Sequence, residues 1–290
     1  MIAVDWGTTS LRAWRLGVDG AVLDSVDRQG GGILSVPEGG FPAAFRDALG
    51  HWLAEGEAEV LICGMAGSRQ GWVEAPYLPC PAGAAEIAAA VVAVPFEEAR
   101  VRMVPGLTGH DGSGVPEVMR GEETKLVGLA ATCVADATVV MPGTHGKWAR
   151  LRGRRVEGFT THMTGDVFAA LTKATILART IELDAPPDWE AFDRGAARAR
   201  QDGGLLHHLF GTRTLHLVDG MTPAESTSYL SGLLIGHEVA AAGGDGPVEL
   251  IGSDALVERY ARVLGPRATR RDGEDLVLAG LAAIAAGGRA

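Results

Sequence analysis

Residues 2–15 read IAVDWGTTSLRAWR, and this stretch decides which fold we expect. A buried-type apolar run ends in an acid and then turns through a glycine and two hydroxyl residues, namely Asp5, Gly7, Thr8 and Thr9. Such a turn exposes backbone N–H groups and hydroxyls at a sheet edge, where a phosphate can approach without meeting a Cβ atom. Asp5 would then face the metal ion that accompanies the phosphates. The competing interpretation is that these residues only close a turn.

A similar pattern returns near the middle of the chain, in MPGTHGKWARL at residues 141–151. A strand, a Gly-Thr turn, a strand that carries a tryptophan and a hairpin turn follow one another in both places. Sequence identity between the two is low, so two unrelated hairpins remain the alternative to a structural duplication. If the lobes are duplicated, Gly143, Thr144 and His145 would lie opposite the first turn, and both turns would grip one polyphosphate.

Length and composition fit a globular protein of two lobes. The chain has 290 residues, of which 47% are hydrophobic and 21% charged. Its formal net charge of −10 argues against a nucleic-acid partner, because such proteins present a surplus of Lys and Arg to the phosphates. No uncharged apolar stretch reaches the length of a membrane span, and the three cysteines form no CxxC pair. We therefore expect a cytoplasmic protein without membrane contact, and the sequence leaves a homodimer open.

Strand patterns alternate with helix patterns along the whole chain, which predicts a mostly parallel α/β architecture. The predicted strands include residues 60–63, 101–104 and 248–251, and the predicted helices include 41–53, 166–180, 223–242 and 254–264. There is no GxxxxGK[ST] motif, and the glycines at residues 30–32 lack the spacing of a dinucleotide site. A nucleotide would thus be held by the Gly-Thr turns.

Several stretches resemble the 2-dehydro-3-deoxygalactonokinase family of the actin-like, sugar-kinase and Hsp70 ATPase superfamily. The stretches are AVDWGTTSLRAW (3–14), GMAGSRQGWVEAPYLPCP (64–81), VMRGEETKLVGL (118–129), MPGTHGKWARL (141–151), FTTHMTGDVF (159–168), SYLSGLLIGHE (228–238) and LIGSDALVERY (250–260). DWGTT indicates only the superfamily, whereas GSRQGWVEAPY together with MRGEET is typical of the family. Two positions depart from the family pattern, which has Asp at Glu117 and Ser at Gly146.

The resemblance implies an α/β, two-lobed, actin-like (ribonuclease H-like) fold with duplicated lobes and a central cleft. Residues 1–135 would form the N-terminal lobe and 136–290 the C-terminal lobe, with the last helix packing back toward the first. It also implies an enzyme, a phosphotransferase with an alcohol acceptor. The reaction would transfer the γ-phosphate of ATP, with Mg²⁺, to the 6-hydroxyl of 2-dehydro-3-deoxygalactonate in galactonate catabolism.

The catalytic base should be a carboxylate that accepts the proton of the sugar hydroxyl. RGEETKLVGL resembles the helix start that supplies the catalytic aspartate in related sugar kinases, so Glu122 is the first candidate. Asp111, in the loop GLTGHDGSG, is the second. The alternative for Glu122 is that it only complements the helix dipole.

A keto-acid substrate needs a cation, and the guanidinium of Arg69 can bind a carboxylate through two parallel hydrogen bonds. Gln70, Gly71 and Trp72 would complete this pocket, and Arg120 is a second candidate anion ligand. The alternative is a surface turn whose arginine is solvated.

The adenine is expected where Gly252 and Ser253 join a strand end to a helix start, unless Ser253 is an ordinary helix cap. The histidines fit no metal-ligand spacing, and His207 and His208 are expected in a loop or the core. Two other functions remain: a related sugar or amino-sugar kinase, and a non-catalytic nucleotide-binding sensor.

Overall fold

The computed structural model describes residues 1–134 and 136–287. The chain divides into two compact units by its internal contacts. Unit 1 comprises Met1–Ala137, Ala149–Phe159 and the chain from Asp272 onward, and unit 2 comprises Thr138–Trp148 and Thr160–Arg271.

The elements of the described residues follow in chain order. The strands are β1 (Ile2–Trp6), β2 (Ser10–Leu16), β3 (Val22–Gln29), β4 (Glu59–Cys63), β5 (Tyr77–Pro79), β6 (Val92–Val94), β7 (Arg100–Met103), β8 (Gly106–His110), β9 (Pro116–Met119), β10 (Ala137–Met141), β11 (Gly146–Arg152), β12 (Arg155–His162), β13 (Val248–Ile251) and β14 (Ala268–Arg271). The α-helices are α1 (Phe41–Ala54), α2 (Ala84–Ala89), α3 (Glu122–Thr132), α4 (Thr164–Ala174), α5 (Trp189–Arg198), α6 (Gly204–Val218), α7 (Pro223–Ala242), α8 (Asp254–Leu264) and α9 (Gly273–Gly287).

The sheet of unit 1 has the strand order β3-β2-β1-β4-β7-β6. Strand β1 pairs antiparallel with β2 and parallel with β4, so Val4 lies between Ala13 and Ile62. Its apolar residues are fully buried, and the core beside it includes Trp6 and Phe45. This central position of β1 brings Asp5 to the carboxyl end of the sheet, next to the end of β4.

A second, five-stranded sheet has the order β12-β11-β10-β13-β14, which repeats the order β3-β2-β1-β4-β7 of the first sheet. Strand β10 pairs parallel with β13, as β1 does with β4. Its core contains Val140, Phe192 and Tyr260. The repeated order confirms the predicted duplication and the α/β class. The prediction of a mostly parallel architecture is wrong, because the sheets are mixed: β1 pairs antiparallel with β2, β2 with β3 and β6 with β7.

Several elements differ from the sequence-based expectations, among them α2, β6 and β14, which were not predicted. A third sheet, β5-β8-β9, was not predicted. Helix α6 was also missed, and it contains both His207 and His208. The prediction of one continuous helix over residues 166–180 is wrong. Thr175 is extended (φ −119°, ψ 177°) and separates α4 from a short 3₁₀ helix, Ile176–Thr180. None of the helices in the described part of the chain is long and apolar enough to cross a bilayer.

Within unit 1, the last helix α9 packs against α3 at very short range. An ideal Cβ on Gly128 would lie 2.0 Å from the Leu276 oxygen, and one on Gly280 would lie 2.0 Å from the Thr124 oxygen. Only glycine permits this approach of the two backbones. The contact fixes α3, whose first turn carries Glu122.

Candidate active site

The first Gly-Thr turn, residues 7–9, connects β1 and β2 and is held by the glycine loop at residues 30–34. The carbonyl oxygen of Gly7 accepts a hydrogen bond from the Ile33 N–H at 3.0 Å. In the same way, the Thr8 oxygen accepts from the Leu34 N–H (3.2 Å) and the Thr9 oxygen from the Gly30 N–H (2.9 Å). The side chains of Thr8 and Thr9 are exposed, and within the described residues their N–H groups donate no hydrogen bond. The exposed hydroxyl groups of Thr8 and Thr9 and their unused N–H groups are donors of the kind that a phosphate site requires.

Gly32 is the residue that lets the loop lie against this turn. An ideal Cβ on Gly32 would lie 2.3 Å from both the Thr8 oxygen and the Thr9 nitrogen. The indole of Trp6 also donates a hydrogen bond to the Gly31 oxygen (3.0 Å). The glycines at residues 30–32 thus support the first turn, a role that the sequence analysis did not assign to them.

Asp5 stands at the end of β1, as expected, and is already paired. Its Oδ2 accepts a hydrogen bond from Arg12 Nη2 at 2.9 Å, and its side chain is 17% exposed. No group of three or more His, Cys, Asp or Glu side chains able to hold a metal occurs among residues 1–134 and 136–287. The donor set therefore fits a Mg²⁺ ion carried by phosphates and approached by one carboxylate, and does not fit a metal bound by protein ligands alone.

The start of α3 lies close to Asp5 within unit 1. Gly64 follows β4 with φ +94°, and an ideal Cβ there would be 3.2 Å from Asp5 Oδ1. Gly121 precedes α3 with φ +100°, and its ideal Cβ would be 3.4 Å from the Gly64 Cα. Both glycines occupy the left-handed region that other residues avoid. They bring Glu122 to the end of the sheet where Asp5 lies.

The two acids at the start of α3 differ in environment. Glu122 Oε2 accepts a hydrogen bond from the Arg120 N–H at 3.1 Å. Glu123 is fully buried, and its carboxyl group accepts hydrogen bonds from the Gly121 N–H (2.6 Å) and the Thr124 hydroxyl (3.0 Å). Burial, followed by the nearby charge of Glu122, raises the pKa of Glu123 to about 8. This shift favours the protonated form of Glu123, which lessens the negative charge beside Glu122.

Asp111, the second candidate base, has a local structural role. It closes the loop between β8 and β9 by accepting backbone hydrogen bonds from Ser113 (2.8 Å) and Val115 (2.9 Å). The Val115 bond, followed by the Ser113 bond, lowers the pKa of Asp111. A carboxylate stabilised in this way accepts a proton less readily, and its hydrogen bonds tie Asp111 to its own loop.

Unit 1 contains a cavity of about 570 Å³ that collects the predicted substrate residues. Its lining comprises Val36, Pro37, Glu38, Gly39, Phe41, Pro42, Arg69, Gln70, Gly71 and Trp72. This volume lies within the range of ~300–1,000 Å³ typical of small-molecule sites. The guanidinium of Arg69 is exposed and has no hydrogen bond or ion pair with any described residue. The loop at residues 36–42, which forms the other part of the lining, was missed because nothing links it in sequence to residues 69–72.

The 69–72 segment is held rigidly. The N–H of Trp72 donates to the Ala66 oxygen at 2.8 Å, and an ideal Cβ on Gly71 would lie only 2.2 Å from the same oxygen. The Trp72 ring stacks on Phe41, with centroids 6.4 Å apart, and also contacts Phe45 and Phe96. These contacts fix the backbone that carries Arg69, so the cavity has an ordered wall.

Arg120 lies in a different place from the cavity lining. Its side chain is only 8% exposed, its Nη2 donates to the Ala75 oxygen at 2.7 Å, and its guanidinium lies over the Tyr77 ring. An ideal Cβ on Gly67 would be 3.0 Å from its Nη1. The structure therefore puts Arg120 behind the 65–71 segment, where it supports that segment.

The second Gly-Thr turn, in unit 2, is held by the start of α4. The Asp166 N–H donates to the Thr144 oxygen at 3.1 Å, and an ideal Cβ on Gly165 would lie 2.5 Å from the Gly143 oxygen. The His145 ring is hydrogen-bonded to the Asp166 carboxylate, with 2.8 Å between Nε2 and Oδ2. This contact orients His145 toward one side of the turn. The supporting residues lie in the motif FTTHMTGDVF, but the sequence analysis assigned no site residue there.

Gly146 follows this turn and lies close to the side chain of Glu238. An ideal Cβ there would be 3.3 Å from Glu238 Oε1. Glu238 is buried and accepts hydrogen bonds from Trp148 Nε1 (2.8 Å) and from the Tyr260 hydroxyl (2.5 Å). Burial, followed by the neighbouring Glu238, raises the pKa of Tyr260. The carboxylate thus joins α7, β11 and α8 directly beneath the second turn.

A smaller cavity of about 200 Å³ lies in unit 2 beside this turn. Gly143 and Gly165 form one side, Phe168 and Leu234 contribute apolar surface, and Ser231 is one of its polar groups. Further lining residues come from α8, namely Leu256, Arg259 and Tyr260. The cavity has room for a flat heterocyclic base.

Gly252 and Ser253 connect β13 to α8, as the sequence analysis expected. Ser253 is the N-cap residue, but its side chain makes no capping hydrogen bond. An ideal Cβ on Gly252 would lie 3.4 Å from Pro142 Cδ, so this segment adjoins the residues before the second turn.

His208 is a core histidine, as expected, although it lies in α6. It is buried, and its Nδ1 lies 3.0 Å from His237 Nε2. Burial, followed by the neighbouring His208, lowers the pKa of His237. The two rings therefore form a hydrogen-bonded pair inside unit 2.

The duplicated sheets and the two supported Gly-Thr turns define an actin-like α/β protein of the sugar-kinase type. A family profile described as 2-keto-3-deoxy-galactonokinase matches residues 5–284. The chain belongs to this family, and the predicted enzyme class, a phosphotransferase with an alcohol acceptor, is confirmed.

Relatives match the chain along nearly its whole length. The 2-dehydro-3-deoxygalactonokinase of Escherichia coli K12 is 32% identical, with 98% of this chain and 97% of the relative covered. A Rhizobium meliloti protein to which the same activity is ascribed is 42% identical, with 98% and 95% covered.

Solved structures support the fold. One is the crystal structure of a Sinorhizobium meliloti protein to which 2-dehydro-3-deoxygalactonokinase activity is ascribed. It aligns with a TM-score of 0.90 at 40% identity, and the alignment covers 98% of this chain and 97% of that one. The (R)-2-hydroxyglutaryl-CoA dehydratase component A of Acidaminococcus fermentans aligns with a TM-score of 0.50 at 13% identity, covering 100% and 99%. At that identity it shows the fold alone. The predicted actin-like fold class is confirmed.

Proposed function

We propose that this protein transfers the γ-phosphate of ATP to the 6-hydroxyl of 2-dehydro-3-deoxygalactonate, in the cytoplasm and as a step of galactonate catabolism. The observation that carries the proposal is the cavity of unit 1, which is lined by Arg69, Gln70, Gly71 and Trp72. An exposed guanidinium without a described partner is the group that a sugar acid requires in such a cavity. The names of the E. coli and R. meliloti relatives support the same substrate.

The phosphates of ATP are assigned to the two turns. The N–H groups and hydroxyls of Thr8 and Thr9, and the turn of Gly143, Thr144 and His145, would hold the same triphosphate. Bound Mg²⁺ would neutralise charge on the phosphates during transfer, and Asp5 would hold it directly or through water. Support comes from the exposed side chains of Thr8 and Thr9 in the first turn and from the short-range packing that orders both turns.

The sugar hydroxyl is activated by Glu122 in this proposal. Arg69 fixes the carboxylate of the sugar acid, and Gln70 and Trp72 contribute a hydroxyl contact and an apolar wall. Glu122 then accepts the proton as the sugar oxygen bonds to the γ-phosphorus and the bond to ADP breaks. The raised pKa of Glu123 supports this role, because one charge at the start of α3 is stabilised by the helix dipole.

Adenosine is assigned to the smaller cavity of unit 2. The apolar side chains Phe168 and Leu234 would contact the base, and Ser231 is available for a polar contact. Gly252 and Ser253 would lie at its edge. Support comes from Gly143, which belongs both to this cavity and to the second phosphate turn.

The test is phosphoryl transfer itself, followed by ³¹P NMR with ATP, Mg²⁺ and 2-dehydro-3-deoxygalactonate. We expect a phosphomonoester whose phosphorus couples to the two protons of C6. Glu122→Gln should lower kcat by ~10²–10⁴-fold and leave KM for both substrates nearly unchanged. Asp111→Asn is the comparison variant and should retain most activity. Turnover that survives in Glu122→Gln but is lost in Asp111→Asn would transfer the catalytic role to Asp111.

A further inference from the structure

The cavity of unit 1 contains one residue whose chemistry the proposed function does not yet use. Glu38 lies in the loop between the short 3₁₀ helix Ile33–Ser35 and α1, and it lines the cavity together with Arg69. Its side chain is exposed and has no hydrogen bond or ion pair among the described residues. Arg69 and Glu38 line the same cavity, and no ion pair between them occurs among the described residues. A ligand with both an acid and hydroxyl groups would satisfy both.

The rest of the lining is almost entirely apolar. Val36, Pro37, Phe41, Pro42 and Trp72 provide carbon surface, and Gln70 is the remaining polar side chain. The stacked rings of Phe41 and Trp72 fix this surface. A 3-deoxy sugar acid has a methylene group beside its keto-acid end and hydroxyls beyond it. It therefore matches a cavity with a cation, an apolar wall and a carboxylate.

We propose that Glu38 determines the epimer specificity of the enzyme by accepting a hydrogen bond from the C4 hydroxyl of the sugar acid. This inference rests on the proposed function, because it takes the acid of the same substrate to be bound by Arg69. A carboxylate accepts hydrogen bonds from hydroxyls and donates none when it is ionised. Once the acid is fixed, only one configuration at C4 directs its hydroxyl toward Glu38, and the other leaves the carboxylate without a partner.

A site built to hydrogen-bond a substrate hydroxyl discriminates strongly against a substrate that cannot supply it. Because Glu38 is exposed and keeps some water, we expect a discrimination of about 10- to 100-fold in kcat/KM between the C4 epimers. The contact is made in the ground state as well as during transfer. Most of the effect should therefore appear in KM for the sugar acid.

The experiment compares the two C4 epimers, 2-dehydro-3-deoxygalactonate and 2-dehydro-3-deoxygluconate, in steady-state kinetics with saturating ATP. The variants are Glu38→Ala and the matched control Glu74→Ala. Glu74 is exposed, has no described partner and is not among the residues that line the cavity. Glu38→Ala should lower kcat/KM for the galacto epimer by about 10- to 100-fold and change the gluco epimer by less than about 3-fold. Glu74→Ala should change neither.

If Glu38→Ala keeps the wild-type ratio of kcat/KM for the two epimers, the inference is overturned. Turnover by the wild-type protein in the same assay would still leave the proposed function standing. Equal losses for both epimers would also overturn it, since they would mean a contact that both substrates share. Absence of turnover by the wild-type protein with either epimer would instead reject the proposed function, and the inference with it. Far-UV circular dichroism and thermal unfolding of Glu38→Ala, compared with the wild type, provide the check on folding.

Discussion

Replacing Glu123 by Gln should remove a large pH dependence from the stability of the protein. Glu123 is fully buried, and its pKa rises from 4.5 to about 8 on folding, first because of burial and second because of Glu122. Between those values the folded protein keeps a proton that the unfolded chain releases. The free energy of unfolding must therefore fall as pH rises from about 4.5 to about 8.

The magnitude follows from the shift. Each pKa unit corresponds to about 1.4 kcal/mol, so the 3.5-unit difference between 4.5 and about 8 gives a loss of ~5 kcal/mol across the window. Gln is neutral at every pH and has a similar shape. Relative to the wild type, Glu123→Gln should gain about 1.4 kcal/mol for each pH unit between about pH 5 and about pH 8.

Two measurements check this expectation. Urea unfolding followed by tryptophan fluorescence, repeated across the pH window, should show the growing difference between the wild type and Glu123→Gln, whereas the exposed control Glu74→Gln should follow the wild type. Infrared spectroscopy at pH 7 should detect a protonated carboxyl group that disappears in Glu123→Gln. A stability difference that stays flat with pH, together with no such infrared band, would refute the argument that Glu123 favours its protonated form beside Glu122.

Three further predictions concern the substrate and the two turns. Arg69→Ala should raise KM for sugar acids by about 10²-fold and hardly affect KM for neutral sugars. Arg69→Lys should give an intermediate KM, and Arg152→Ala, at an exposed position, should leave KM unchanged. Steady-state kinetics with both substrate types measure this. Gly32→Ala should raise KM for ATP and lower the free energy of unfolding by ~1–3 kcal/mol, because its Cβ would meet the backbone of Thr8 and Thr9. Gly50 lies in α1 with open space around its Cβ position, so Gly50→Ala should leave stability unchanged or raise it. Glu238→Ala should lower the thermal stability more than Glu238→Gln, since Ala leaves both Trp148 Nε1 and the Tyr260 hydroxyl without an acceptor, at about 1–3 kcal/mol each; calorimetry showing equal losses would contradict this.

The elements that were predicted well have strong local signals. The bounds of α7, Pro223–Ala242, agree with the prediction, and the helix begins with Pro at its first position and a capping box between Thr222 and Glu225. Strand β13 and helix α8 also have the predicted bounds. In each case the residues that start and end the element are adjacent to it in sequence.

The missed elements lack such signals. Helix α6 begins at Gly204 without a side-chain cap, and its apolar residues Leu206, Phe210 and Leu217 are exposed, so no single buried face gives a helical period. The β5-β8-β9 sheet consists of short strands, and the parallel pairing of Tyr77 with Gly106 spans almost thirty residues. Non-local pairing of this kind leaves little trace in a local pattern.

The candidate site shows the same division. Short motifs were enough to name candidate site residues at Asp5, at the two Gly-Thr turns and at Arg69. Phosphates and carboxylates require particular hydrogen-bond donors, and these donors occur in short, local stretches of sequence. Glu38 and Glu238 could not be named. The first lies some thirty residues before Arg69, with which it lines the cavity, and the second accepts a hydrogen bond from Trp148, 90 residues earlier. Such partners become visible only when the chain has folded.

The central claim is that the two Gly-Thr turns bind the phosphates of one ATP while Arg69 holds a sugar acid. A crystal structure of the wild-type protein with a non-hydrolysable ATP analogue, Mg²⁺ and 2-dehydro-3-deoxygalactonate tests it most directly. We predict phosphate oxygens within hydrogen-bond distance of both residues 7–9 and residues 143–145, the sugar carboxylate on the Arg69 guanidinium, and the 6-hydroxyl beside Glu122. Nucleotide phosphates bound away from either turn, or a sugar acid outside the cavity of unit 1, would contradict it.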